Sequence, residues 1–147
     1  MGEFKFNLKE VLEHRENIEE ICKREFGEAR RALNRLLTKR EKIENEIESI
    51  RKERAEKILT DFDPAIQSIF ENYMKYLKFE REIVLKEIKK QEEILEAKRV
   101  KLENAMKDCE IIKKLKEKEF SLFLQEEKRK ENKFFDTLSL RKHWAKG

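Results

Sequence analysis

The sequence is 147 residues long, 46% charged and 38% hydrophobic, with three glycines, one proline and a formal net charge of +4. That mixture argues against an ordinary globular core, and no apolar run approaches the roughly 20 residues that a membrane-spanning helix requires. Cys22 and Cys109 are the only cysteines, too few for a disulfide scaffold, and they point to a reducing, cytoplasmic setting. The opening Met1-Gly2-Glu3-Phe4-Lys5-Phe6 predicts neither a secretory leader nor, lacking Ser or Thr at position 6, myristoylation.

The fold class is all-α: two long antiparallel helices forming a coiled-coil hairpin, the second helix longer than the first. From Leu8 the first arm steps by three and four through Val11, Arg15, Ile18, Cys22, Phe26, Ala29, Leu33, Leu36, Arg40, Ile43, Ile47, Ile50 and Arg54. Alternating threes and fours mark a coiled-coil seam with a repeat of about 3.5 residues. Two successive fours at Ile18–Cys22–Phe26 form a stutter, and Gly27 beside it predicts local bending or loosened packing without a chain break. The first helix is placed at about 6–59 and spans roughly 80 Å.

Thr60-Asp61-Phe62-Asp63-Pro64 is the one break in the pattern. Proline drives the residue before it out of the helical region, and Asp63 and Pro64 suit the N-cap and first helical position of a new helix. The turn is therefore about 60–63. A second helix follows at about 64–138, roughly 110 Å long, with a tail to 147. Its seam is predicted through Ile66, Ile69, Tyr73, Leu77, Glu80, Val84, Ile88, Gln91, Leu95, Lys98, Leu102, Ala105, Cys109, Ile112 and Leu115. The whole chain is one domain, and residue i of the first arm faces about residue 124 − i of the second.

That pairing sets the two thiols about two turns apart, beyond the reach of a disulfide, and makes both cysteines small seam residues. It brings Phe4 and Phe6 to Phe120 and its neighbours, an aromatic cluster closing the open end. Beyond it the second arm continues unpaired through Lys128, Arg129 and Lys130 to Phe134, Phe135 and Trp144. Residues 113–147 hold eleven Lys/Arg against six Asp/Glu, so the basic excess lies at this end. Near the tip, Phe70, Tyr73 and Leu77 lie on or beside the seam, with Tyr76, Phe79 and Ile83 as a neighbouring stripe. Such a stripe suits either widened core packing or a docking surface.

Chemistry is conspicuous by its scarcity. Three scattered glycines build no phosphate loop, His14 and His143 stand apart from any set of ligands at metal spacing, and no cofactor is expected. Carboxylates on a solvated pair of helices lack the enclosed pocket that tunes a catalytic pair, so an enzyme is not expected. Interspersed glutamates interrupt the basic end, so nucleic acid is not an expected partner.

Phe4-Lys5-Phe6-Asn7-Leu8-Lys9-Glu10-Val11-Leu12-Glu13-His14-Arg15 resembles the start of the flagellar export protein FliJ family: aromatics followed by Leu-x-x-Val-Leu-x-x-Arg. Length, two unequal antiparallel helices and the basic C-terminal segment are also similar; stalk proteins of virulence type III secretion are the near alternative, and a generic coiled-coil spacer the plain one. The resemblance implies a component of the type III export apparatus at the flagellar base, cytoplasmic and peripherally associated with the membrane without inserting into it. It implies a stalk similar to the gamma subunit of rotary ATPases. The partners it implies are the export ATPase hexamer, the cytoplasmic domain of the FlhA export gate and export chaperones. The gate contact falls on the stretch Tyr73-Met74-Lys75-Tyr76-Leu77, with Phe70 and Phe79 beside it. The ATPase ring is assigned to the open end: Phe4, Phe6, Phe120, Phe123, Lys128, Arg129, Lys130, Phe134 and Phe135.

Overall fold

A computed structural model describes residues 2–146, and Met1 and Gly147 lie outside the described residues. Two helices make up the fold, α1 (Lys9–Thr60) and α2 (Pro64–Lys146), packed against each other as a helical hairpin. α1 runs unbroken through Gly27. It starts three residues later than the sequence pattern predicts, because Phe4 and Phe6 are drawn into side-chain packing instead of extending the helix. α2 runs eight residues further than the predicted 138, into the basic tail, where no glycine or proline before Gly147 stops it.

The turn has the predicted chemistry. The Ala65 amide donates to Asp63 Oδ1 at 2.9 Å, and the Gln67 amide donates to the Asp63 carbonyl at 3.0 Å. Asp63 is thus the N-cap, and Pro64, which has no amide hydrogen to lose, occupies the first helical position. α1 closes with the Asp61 amide on the Lys57 carbonyl at 3.0 Å and Thr60 Oγ1 donating to the Glu56 carbonyl at 2.9 Å.

Packing divides the chain into two units, Met1–Ile21 with Glu103–Gly147, and Cys22–Leu102. On α1 the division falls inside the Ile18–Cys22–Phe26 stutter. In the second unit Ile43, Ile47, Met74, Leu77, Val84 and Ile88 form a buried cluster, flanked by Leu33, Leu36, Leu37 and Ile50. Gln91 Nε2 donates to the Ala29 carbonyl at 3.2 Å, the small alanine letting the amide reach the backbone. In the first unit the buried set is Phe6, Leu12 and Cys109, with Phe4, Leu8, Ile112 and Leu115 around it. The pairs Lys98–Glu25 (3.0 Å) and Arg15–Asp108 (3.5 Å) each fall within one residue of the 124 − i pairing.

From Leu77 to Leu115 the α2 seam follows the predicted positions, every one of them buried or half-buried. Before Leu77 it does not. Gln67 and Met74 are buried while Ile69 and Tyr73 face outward, so the seam runs Gln67–Phe70–Met74–Leu77. The polar Gln67 is accepted because Arg54 Nε donates to its Oε1 at 3.2 Å, although its Nε2 finds no partner. At the other end Leu12, not Val11, is the buried residue.

Both cysteines are free and buried. Burial, and then a hydrogen bond to the Glu19 carboxylate, push the Cys109 thiol above its ordinary pKa, which keeps it protonated.

Replacing Asp63 by Ala removes the cap on α2; thermal or urea unfolding should show a loss of about 1 kcal/mol. Glu25 is held below its ordinary pKa of 4.5, first by hydrogen bonds from Lys98 and Lys101 and then by their charges. A depressed folded-state pKa stabilises the fold fully above the unfolded value, and that contribution fades as the pH falls through the folded one. Glu25→Gln should therefore flatten the decline in melting temperature below about pH 4.5 and leave the pH 5–8 range nearly flat.

Candidate protein-docking surfaces

Each helix of a two-helix hairpin has one partner, so apolar side chains off the seam stay in water. On α2 near the turn, Ile69, Tyr73, Tyr76, Phe79 and Ile83 recur at steps of four, three, three and four, and all five are exposed. Tyr76 and Phe79 stand out most among the aromatics, at 56% and 64%. At that exposure the stripe does not widen the core. Tyr73 and Tyr76 stack with ring centroids 6.2 Å apart, and Tyr73 donates its hydroxyl to Glu46 of α1 at 3.3 Å. The Glu46 charge, above all, raises the Tyr73 pKa, so the phenol stays neutral.

Leu77 is different. At 2% exposure it sits inside the core cluster, and its side chain cannot form part of a surface without unfolding the seam. Phe70 is half-buried beside it. Sequence spacing grouped Leu77 with Tyr73 because four residues separate them; the outward rotation of Tyr73 parts them. Phe62, Ile58 and Leu59, exposed around the turn, extend the apolar surface there and were not singled out from the sequence. Nothing in the periodicity could flag them, since they lie at the end of the pattern.

In the first unit, Phe4 contacts Phe120 edge-on at 5.1 Å and Phe123 at 5.5 Å, and Phe120 and Phe123 stack at 6.5 Å. This is the predicted closing cluster. Phe6, at 8% exposure, belongs to the core beneath it and presents little ring to a partner. Phe120 remains exposed on the outer side.

From Lys128 to Ala145 every residue of α2 is exposed. Phe134 and Phe135 meet edge-on at 6.1 Å, and Leu138, Leu140 and Trp144 follow, Trp144 at 80% exposure. Arg129 is engaged by Glu126 through two hydrogen bonds, at 2.7 and 3.2 Å, which hold the Glu126 carboxyl below its ordinary pKa. Lys128 and Lys130 flank it on the exposed helix. The result is a helical segment carrying five large apolar side chains among basic ones.

No group of three or more His, Cys, Asp or Glu that could hold a metal occurs among the described residues, and among them no helix is long and apolar enough to cross a membrane. The geometry offers exposed apolar faces on a hydrogen-bonded scaffold. Residues 4–147 match the family described as flagellar FliJ protein. The chain belongs to the FliJ family. It is therefore a component of the flagellar type III export apparatus. No curated protein and no solved structure matches it.

The interior and exterior assignments differ in their energetic consequences. Leu77→Ala should cost about 2–5 kcal/mol in chemical unfolding, the range for a fully buried leucine, whereas Phe79→Ala should stay within about 0.5 kcal/mol of the parent.

Proposed function

We propose that this FliJ-family chain acts as a stalk and adaptor between the export ATPase and the membrane export gate. The supporting observation is that α2 carries two exposed aromatic stretches with different surroundings. One, Ile69–Ile83, lies in the unit that contains the turn; the other, Lys128–Trp144, lies in the unit with both termini, on the segment of α2 with an excess of Lys and Arg. Large exposed aromatics that the fold leaves uncovered are the residues that dominate protein interfaces.

In this reading the cytoplasmic domain of the FlhA gate takes the stripe near the turn, with Tyr76 and Phe79 as anchors and Tyr73 held in place by Glu46. The ATPase hexamer takes the open end, where Phe120, Phe134 and Phe135 are accessible and Lys128 and Lys130 supply charge. The hairpin would sit in the ring as the gamma subunit does in rotary ATPases, assist ring assembly and meet export chaperones. Contact with the gate would hold the chain peripherally at the membrane on the cytoplasmic side. Helices held by one aliphatic seam and flanked by charge suit a stalk, which needs a defined axis and a wetted surface.

The immobilised chain should retain both the export ATPase and the cytoplasmic domain of the gate from an extract-free mixture. Tyr76→Ala with Phe79→Ala should lower gate retention at least tenfold and leave ATPase retention intact, on the ordinary scale of anchor residues. A chain ending at Glu127 should do the converse. Retention of neither protein by the parent chain would sink this reading.

A further inference from the structure

We infer that the stripe near the turn is also a self-association face, on which two copies of this chain pair antiparallel through α2. Asn72, Tyr76, Phe79 and Ile83 are spaced by four, three and four, the repeat of a second coiled-coil seam, and all are exposed. One flank of this seam is closed by the chain itself, since Tyr73 is tied across to Glu46 on α1. The other flank is open and carries Lys75 and Glu82, each one residue ahead of a seam aromatic or aliphatic, Tyr76 and Ile83, and both exposed.

These two charges decide the occupant. In an antiparallel pair, flanking residues of the same kind face each other across the twofold axis, so a self-complementary face needs one acid and one base on that flank, one towards each end of the face. Tyr76 and Phe79 are centred between Leu77 and Lys78, as are Asn72 and Ile83, and Lys75 and Glu82 are centred one residue further on, between Lys78 and Phe79. A twofold axis between Leu77 and Lys78 sets Tyr76 against Phe79 of the second copy, twice. It also brings Lys75 to Glu82 of the second copy on the shared flank, again twice, with an offset of about 3 Å along the helix that is within reach of the two long side chains. Ile83 meets Asn72 of the second copy at the margins. The centre is then four aromatic rings, the geometry in which aromatic pairs gain most beyond burial.

The face is only about three helical turns long, which places it among small, transient interfaces, with association at high micromolar concentration. The face is shared with the proposed gate contact, so a paired chain would be unable to take the gate. The pairing itself does not depend on that reading, because its test contains no export protein.

Sedimentation equilibrium of the full chain from about 10 µM to 1 mM should show a reversible monomer–dimer equilibrium. Phe79→Ala should abolish the dimer. Lys75→Glu or Glu82→Lys alone should weaken it at least tenfold, through two like-charge encounters per dimer. The two reversals combined in one chain should restore the parent association. Both sites are exposed, so circular dichroism should report unchanged folding in all four variants. A chain that stays monomeric at 1 mM would overturn the proposal, as would a double reversal that stays as weak as the single ones.

Discussion

A hairpin of two helices can bury one stripe of each. α1 and α2 spend that stripe mainly on aliphatic and small residues, with Val84 and Cys109 almost wholly enclosed and few polar residues admitted. Gln91 reaches a backbone carbonyl, and Gln67 is held by Arg54. Everything else on either helix must face water or another protein. In a larger domain a third layer would cover the aromatics off the seam; among the described residues there is no such layer. The single buried stripe is therefore both the source of stability and the reason that exposed aromatic residues carry meaning.

The turn controls which residues fall on which side. Asp63 caps α2 and Pro64 sets its first backbone angle, so the rotation of the helix is fixed as it leaves the turn. That rotation buries Met74 and Leu77 and carries Tyr73, Tyr76 and Phe79 outward. A rotation of one residue would have submerged the tyrosines and exposed methionine and leucine instead. The cap is thus connected to the exposed stripe through the helix itself.

Most of this was legible in the residues. The break at Asp63–Pro64, the seam from Leu77 to Leu115, the buried cysteines and the Phe4–Phe120–Phe123 cluster all follow from spacing and elementary turn chemistry. What spacing misread has a common cause: it counts apolar residues and cannot see partners. A polar residue such as Gln67 does not enter an apolar count, and the Arg54 guanidinium that satisfies it in the seam lies on the other helix. Counting therefore places the seam on Ile69 and Tyr73, and it groups Leu77 with Tyr73 as a contact residue although Leu77 is buried. Likewise Leu12 displaced Val11 because Phe6, lying before the helix, fills the core beside it. The extra length of α2 beyond residue 138 reflects helix-forming composition with no breaker, a signal outweighed by the loss of a partner arm. The family was recognisable from the opening residues; which surfaces bind which partners was not, since docking faces have no fixed spacing of their own.

Amide hydrogen exchange of the full chain, alone and with each partner in turn, tests the division of labour between the two exposed stretches most directly. The gate's cytoplasmic domain should slow exchange across residues 69–83 and leave 128–146 unchanged. The export ATPase should protect 128–146 and leave 69–83 unchanged. Protection of the same stretch by both proteins, or the two patterns reversed, would contradict the account.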